Sequence, residues 1–367
     1  MMKKNLIALL GVAAMSMSVF AGCGSTETAA PTETTESTEA TESTEAAAPA
    51  EDRVAPVAAE GELLTGVGTS VSLADSKSAT ANTAGTAQFD TTIAAVTVDS
   101  NGAIVECVLD VAQTKIEINK LGKVATDLDT EFKSKKELGD DYGMKAASPI
   151  GKEWYEQAAA FEEWAVGKTV DDINNMAVEE GKASDADLAA SVTIHVNGFQ
   201  TAVADAMYNA VAGGAKEGDK LGLGVTTNIG SSTDASKDAD GNAQADTTIS
   251  AVTLDADGVV TSDFIDVVQG KIAFDTLGVI STDLNSTVDS KKTLGDAYGM
   301  KNASAIGKEW YEQAASFEEY TVGKTMDEIS GTAMDAGAAA DADLAASVSI
   351  HISDFVVAAA KACENAQ

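Results

Sequence analysis

The sequence predicts an α+β protein in which one unit occurs twice, and three observations support this. Segments of the chain recur at a constant offset of 156 residues without gaps. Within each copy, short runs that alternate apolar with small or polar residues come first, as in antiparallel strands. Segments with apolar residues at helical spacing follow them, so strands and helices are segregated along each copy.

The chain begins with a predicted export signal. In residues 1–22, Lys3 and Lys4 precede an apolar run from Leu6 to Phe20, which is too short for a typical membrane span. The residues FAGC at 20–23 resemble a bacterial lipobox. This implies cleavage before Cys23 and lipidation of that cysteine. Secretion without a lipid is the alternative.

Residues 23–60 predict a tether. After Cys23 the segment is dominated by Thr, Glu, Ala, Ser and Pro, which cannot form an apolar core, and its repeated acidic residues favour an extended chain. The expected location is therefore the cell membrane, with the lipid-anchored protein on its extracellular face.

Composition excludes several functional classes. A formal net charge of −34 argues against nucleic-acid binding, because phosphates would be repelled. The two histidines, His195 and His351, occupy one repeat position, so we predict no histidine-based metal site within one copy. Cys107 lies in a strand-like run and Cys363 near the end of the chain. We expect both to be buried or idle thiols.

A duplicated domain explains the repeat. Residues 151–157 and 307–313 both read GKEWYEQ, and GVG at 66–68 matches GLG at 222–224. A period of 156 residues is too long for a solenoid unit. We therefore predict one domain over residues 61–216 and a second over residues 217–367, each with its own core and its own site.

Each copy is expected to start with a hairpin. The run from Ile93 to Val98 alternates, Asp99 to Gly102 turns the chain, and a second strand runs from Ile104 to Val111. The corresponding turn in the second copy, DADG at 255–258, lacks the acid spacing of a calcium loop.

Helices are expected after the hairpin. Residues 132–145 are polar and lysine-rich and predict a loop with helical fragments. Ser148 and Pro149 resemble an N-cap and a first helical residue. The apolar stripe from Trp154 to Ala165 predicts the helix itself, and Gly167 should end it. Further helices are expected from Thr169 and, in the second copy, from a capping box at residues 325–328.

One heptad carries the candidate attachment site. It reads DLAASVT at 187–193 and DLAASVS at 343–349. An acid, Asp187 or Asp343, stands six positions before a hydroxyl, Thr193 or Ser349. We interpret the Ser/Thr cluster as the start of a helix whose free N–H groups could bind a phosphate. An ordinary helix N-cap is the alternative.

Aromatic and flexible side chains give a second set of candidates. Only 5% of the residues are aromatic, so side chains repeated in both copies could contact a planar ligand. Packing in the core is the alternative for Trp154, Tyr155 and their counterparts, and ordinary loop structure is the alternative for Tyr142, Met144 and their counterparts. The candidates are Tyr142 and Tyr298, Met144 and Met300, Trp154 and Trp310, and Tyr155 and Tyr311.

No catalytic constellation emerges from the sequence. Proximity in sequence does not place Ser191, His195 and Asp187 in a Ser-His-Asp geometry. No GxGxxG dinucleotide motif follows a strand. We therefore predict no catalytic residues and no metal ligands.

With these features, the chain resembles the lipoproteins of Gram-positive bacteria that have tandem FMN-binding domains and serve flavin-based extracellular electron transfer. The resemblance rests on the lipobox, the Thr-rich tether, the duplication and the order KKELGDDYGMK, SPIGKEWYEQ, GKT, DADLAASVTI. It implies a lipoprotein signal and tether followed by two homologous FMN-binding-like domains of α+β class.

The resemblance also implies a covalent cofactor. In the wider family a flavin transferase joins FMN by a phosphoester to the last Thr of a motif like D-x-x-S-G-A-T. This implies Thr193 as acceptor, with Asp187 and Ser191 in the motif. Ser349 is the second candidate, with Asp343 and Ser347. Here Ala-Ser-Val replaces Ser-Gly-Ala, and serine replaces threonine in the second copy.

The function implied is an anchored electron carrier without substrate chemistry of its own. Its expected partners are the flavin transferase, a membrane quinol-oxidising dehydrogenase that supplies electrons, and extracellular acceptors such as ferric iron or soluble flavin. One alternative is a flavin-bearing subunit that feeds a partner reductase. Another is a surface binding lipoprotein without redox function.

Overall fold

The structure is a computed structural model that describes residues 53–366. The predicted signal peptide, Cys23 and most of the predicted tether therefore lie outside the described residues. The predicted α+β class is confirmed, because antiparallel sheets and helices make up the described part of the chain. Among residues 53–366, no helix combines the length and apolar character that crossing a bilayer requires.

Apart from the strand β6, strands and helices recur in the same order in the first half (residues 53–216) and the described second half (residues 217–366). The first half contains β1 (Glu62–Ser72), β2 (Gly85–Val98), β3 (Ile104–Ile118), α1 (Lys135–Leu138), α2 (Trp154–Ala165), α3 (Val170–Asn174), β4 (Val178–Glu179), β5 (Lys182–Ala183), α4 (Ala186–Ser191), α5 (Asn197–Asn209) and β6 (Val211–Lys216). The second half contains β7 (Lys220–Asn228), β8 (Gly241–Leu254), β9 (Val260–Phe274), α6 (Lys291–Leu294), α7 (Trp310–Thr321), α8 (Met326–Ser330), β10 (Met334–Asp335), β11 (Ala338–Ala339), α9 (Ala342–Ser347) and α10 (Ser353–Asn365).

Two antiparallel sheets form the middle of the protein. The first has strand order β3-β2-β1-β6, and the second has order β7-β8-β9. The predicted hairpins are confirmed, since β2 pairs with β3 and β8 pairs with β9 over most of their length. Both strands of each hairpin are longer than the sequence pattern indicated. The shorter pairs β4-β5 and β10-β11 stand apart from these sheets.

The inner faces of the two sheets pack against each other. Ile93 and Ala95 of β2 share an apolar cluster with Leu223 and Ile249 of the second sheet. The contacts are reciprocal: Gly122 lies against Asp275, and Gly278 lies against Asn119 at the corresponding turn. Residues 53–366 accordingly belong to one compact unit, and the division into two domains after residue 216 stays a prediction.

The outer face of each sheet packs on helices of its own half. Ala94 and Val96, which alternate with the inward residues of β2, share a cluster with residues of α2 and α5. In the second half, α7 and α10 cover the outer face in the same way. The order of layers is helix, sheet, sheet, helix. Sheet strands that are buried on both faces read as nearly continuous apolar runs.

Most helix boundaries follow the predicted signals. Thr169 caps α3, and the capping box from Thr325 to Glu328 is present. The predicted start at Ser148 and Pro149 is wrong, because residues 148–151 form a turn and α2 begins at Trp154. The Glu153 carboxylate accepts the amide N–H groups of Met144 and Lys145, and the Glu153–Glu156 capping box starts the helix in its place.

In the second half, the position equivalent to Cys107 is occupied by a buried aspartate. Cys107 and Cys363 are both buried free thiols, as predicted, and burial raises the pKa of each. Asp263 occupies the equivalent site and accepts hydrogen bonds from Ser250 Oγ and Thr321 Oγ1, each at 2.8 Å. Burial, reinforced by the charge of Glu318, raises the pKa of Asp263 to about 7.

Asp263 should make stability fall as the pH rises. Its carboxyl keeps its proton to about pH 7 in the folded protein but loses it near its ordinary pKa, 3.8, when unfolded. The folded state therefore binds more protons between these values, and raising the pH favours unfolding. We expect Asp263→Asn to gain stability over the native protein as the pH rises through this window.

Urea unfolding at about pH 5 and about pH 8 measures this difference. Asp266, whose pKa burial raises to about 6, contributes a decline of the same sign that the variant retains. An equal effect of Asp263→Asn at both pH values would contradict the prediction.

Candidate functional site

Two clefts lie at equivalent positions on the outer faces of the two sheets. The first cleft, beside α1, α2 and the start of α5, has a volume of about 480 Å³. The second cleft, beside α6, α7 and the start of α10, has a volume of about 290 Å³. Eight pairs of identical residues line both clefts: Asp90 and Asp246, Thr92 and Thr248, Val111 and Val267, Gln113 and Gln269, Lys135 and Lys291, Trp154 and Trp310, His195 and His351, and Phe199 and Phe355.

A lysine faces two aromatic rings in each cleft. Lys135 Nζ lies 4.9 Å from the ring centroid of Tyr142 and 5.6 Å from that of Trp154. Lys291 repeats this geometry over Tyr298 and Trp310, at 5.0 and 5.4 Å. Neither lysine belongs to an ion pair among the described residues. Each cleft therefore presents to an anionic group a lysine that is unpaired within the described chain, beside the carboxylates of Asp75 and Asp90 in the first cleft and of Asp246 and Asp354 in the second.

A buried aspartate holds the short helix that carries this lysine. Asp110 Oδ1 accepts the backbone N–H groups of Val111 at 2.7 Å and Lys136 at 3.1 Å. Ser134, which caps α1, also bonds the carboxyl, and burial raises the pKa of Asp110. Asp266 makes the same contacts in the second half. The short helix that carries the lysine is thereby held to the neighbouring strand, which is β3 in the first half and β9 in the second.

A buried glutamate fixes the tyrosine and methionine loop. Glu153 is 3% exposed, and its two carboxylate oxygens accept Met144 N–H at 2.8 Å and Lys145 N–H at 3.0 Å. Glu309 does the same for Met300 and Lys301. Tyr298 and Met300 line the second cleft. Tyr142 and Met144 pack on the core beside the first.

The predicted attachment residues are held by a buried glutamine. Gln157 Oε1 accepts Thr193 N–H at 2.8 Å and the Thr193 hydroxyl at 3.2 Å. Gln313 accepts the same two groups of Ser349, at 2.8 and 3.1 Å. Both glutamines are fully buried, one turn after the cleft tryptophans. An amide oxygen is not a base, so this contact orients the hydroxyl without activating it.

The heptad does not start a helix as expected. Residues 186–191 form α4, which Asp185 caps, and Thr193 follows its end on the connection to α5. Asp187 is exposed in the first turn of α4, and Asp343 is exposed in α9. Ser191 and Ser347 are the last residues of α4 and α9. The predicted helix N-terminal phosphate site at the hydroxyl is therefore wrong. Ile350 and His351, which follow Ser349 directly, line the second cleft.

The tryptophan and the tyrosine that begin α2 and α7 have different surroundings. Trp154 and Trp310 are 3% exposed and line the clefts, so each belongs both to the core and to the candidate site. Tyr155 instead donates its hydroxyl to Asp140 at 3.1 Å, and Tyr311 donates to Asp296 at 3.0 Å. The structure thus brings the tryptophans, but not these tyrosines, into the clefts.

Sequence reasoning missed two cleft residues, Asp90 and Lys135, with their counterparts. It also missed Glu153 and Gln157, which hold the neighbouring segments, and their counterparts. Asp90 accepts the side-chain amides of Gln88 and Gln113, each at 2.7 Å. Their identity at the 156-residue offset was the one available signal. Within residues 53–366, no group of three or more His, Cys, Asp and Glu side chains is arranged to hold a metal ion.

Comparison with known proteins adds one short similarity. A chlorophenol reductase of Desulfitobacterium hafniense is 54% identical to this chain over 41 residues, which are 11% of this chain and 12% of that protein. So small a share of either chain assigns neither a fold nor an activity. No family model and no solved structure matches the chain.

Proposed function

We propose that this protein is a membrane-anchored, extracellular electron carrier of two FMN-binding-like domains with covalently attached FMN. The observation that carries the proposal is the pair of equivalent clefts. Each has a lysine over two aromatic rings, and each is lined by a histidine, His195 or His351, that follows the predicted attachment position, Thr193 or Ser349, by two residues.

The first cleft fits such a cofactor in size and chemistry. Its volume of about 480 Å³ lies within the usual range for cofactor sites, about 300 to 1,000 Å³. Trp154 and Phe199 supply apolar wall, Gln113 supplies polar groups, and Lys135 supplies the positive charge that an anionic group requires. The second cleft, at about 290 Å³, is close to the lower end of that range. This favours Thr193 as the first site to be loaded.

The surroundings of the hydroxyl favour loading by a separate transferase. Among the described residues, Thr193 Oγ1 bonds the Gln157 amide oxygen and no titratable side chain. A hydroxyl needs a base or a metal to attack a phosphate-linked group. This segment offers an oriented hydroxyl without a base, as expected of a substrate for another enzyme.

A lipid anchor and a bound FMN together suit electron transfer from the membrane to extracellular acceptors. Bound FMN would supply one- and two-electron redox chemistry, while the protein holds it in place and adjusts its environment. The predicted lipid at Cys23 and the tether would keep the carrier near a membrane quinol-oxidising dehydrogenase. Extracellular acceptors such as ferric iron or soluble flavin would receive the electrons.

The mass of the intact mature protein tests the proposal. The chain is produced with and without a flavin transferase, and peptide mapping locates any added FMN. We expect transferase-dependent addition at Thr193, with Ser349 as the second position. A chain that stays unmodified beside a transferase shown to modify another acceptor would overturn the proposal and favour a surface binding protein without redox function.

A further inference from the structure

A cavity larger than either cleft lies outside both of them. It has a volume of about 650 Å³ and opens between the end of α5, strand β9 and helices α6 and α7. The first half contributes Asn209 and Val211, so the cavity lies at the junction of the two halves. Its apolar wall is formed by Phe264, Val211, Ala315 and the ring of Tyr311.

Helices α6 and α7 separate this junction cavity from the second cleft. Lys291 and Trp310 line the cleft, while the residues next to them in sequence, Lys292 and Tyr311, line the junction cavity. The same two helices therefore supply side chains to two different ligand-sized spaces. The junction cavity is independent of the attachment hydroxyls and of the flavin proposal.

The lysine that lines the junction cavity is already paired with a carboxylate, so it does not attract an anionic ligand. Lys292 Nζ is paired with Glu318 at 2.5 Å and lies 3.6 Å from the centroid of Phe264. Both charged side chains are less than one-fifth exposed, so this pair is largely desolvated. Asp296, which accepts the Tyr311 hydroxyl, adds a second carboxylate to the lining. Glu318 thus neutralises the charge of Lys292, whereas Lys135 and Lys291 of the two clefts have no ion-pair partner among the described residues.

We propose that the junction cavity binds an uncharged or cationic planar aromatic molecule. Its volume lies within the range of sites for drug-sized ligands, about 300 to 1,000 Å³. Aromatic rings stack with the face or edge of a Tyr ring, here that of Tyr311, and a cationic ring also gains from contact with its face. An anionic ring would meet the excess carboxylate without a lysine available to pair with it.

Fluorescence titration of the full chain with the uncharged three-ring probe aminoanthracene tests the site. We expect one saturable binding equivalent that Ala315→Trp weakens by about tenfold or more, because the indole occupies the cavity from α7. Ala315 is only partly buried, so the helix tolerates the larger side chain. Ala159→Trp places the same side chain at the equivalent position of α2, where Ala159 is exposed, and should leave this equivalent unchanged.

Val211→Trp, which fills the cavity from β6, provides a second variant with the same expected loss. Competition then tests the charge argument: cationic methylene blue should displace the probe, and the dianionic anthraquinone disulfonate should not. Absence of saturable binding, equal effects of Ala315→Trp and Ala159→Trp, or displacement by the disulfonate would overturn the inference. Flavin attachment at Thr193 can succeed or fail without changing any of these outcomes.

Discussion

Thr193→Val is expected to yield a mature protein without the FMN proposed for the first cleft, even when an active transferase is present. The change removes the hydroxyl that a phosphoester requires and keeps a β-branched side chain of nearly the same shape. The backbone N–H of residue 193 still donates to Gln157 Oε1, so the segment keeps its main anchor. We therefore expect complete loss of covalent FMN at this position with little change in stability.

Matched variants separate the hydroxyl from its surroundings. Thr193→Ser keeps the hydroxyl and reproduces the residue found at position 349, so it reports whether the transferase accepts serine in this setting. Ser349→Ala should leave modification at position 193 intact. The readout is intact mass followed by peptide mapping. FMN that remains attached to the first half of Thr193→Val would show that another residue is the acceptor.

Gly224→Ala is expected to destabilise the protein by about 3 kcal/mol or more. Gly224 lies on β7 where α10 crosses the sheet, and an added Cβ would lie within 2 Å of the Ala358 carbonyl oxygen, at 1.9 Å. Both atoms of this collision belong to rigid elements, so the helix must move away from the strand. That movement would disturb the packing of Phe355, which lines the second cleft.

Gly230→Ala is the matched control for this prediction. The same methyl group there would meet only the Asn228 side-chain oxygen, at 3.0 Å, and Gly230 is exposed. Its stability should stay within about 0.5 kcal/mol of the native protein. Urea unfolding followed by circular dichroism compares the two variants. Similar midpoints would mean that α10 adjusts to the added methyl group.

Local patterns in the sequence were sufficient for the central hairpin of each half and for several helices. The alternation of Ile93 to Val98 and the following Asn-Gly turn fix a hairpin through neighbouring residues alone. The same pattern does not show what each face contacts, because β2 is apolar on both faces. Only the folded chain shows that Ile93 faces the second sheet while Ala94 faces helices.

The candidate site was predicted only in part, because its contacts join residues that are far apart in the sequence. Gln157 and Thr193 are 36 residues apart, so no local spacing indicated that one holds the other. Lys135 gained its role from two rings that reach it from a neighbouring turn and from α2. Helix geometry could have separated Trp154 from Tyr155, because consecutive helical residues point about 100° apart.

The face-to-face packing of the two sheets has a consequence for the history of the chain. A polypeptide with a single copy could bury the inner face of its sheet only by pairing with a second molecule, as an isologous dimer. In such a homodimer every substitution appears twice. Joining the copies in one chain removes that constraint. Cys107 and Asp263 can then serve different roles although their positions are equivalent, and so can Gly198 and Asp354. Gene fusion thus converts a symmetric pair into two sites that can specialise separately.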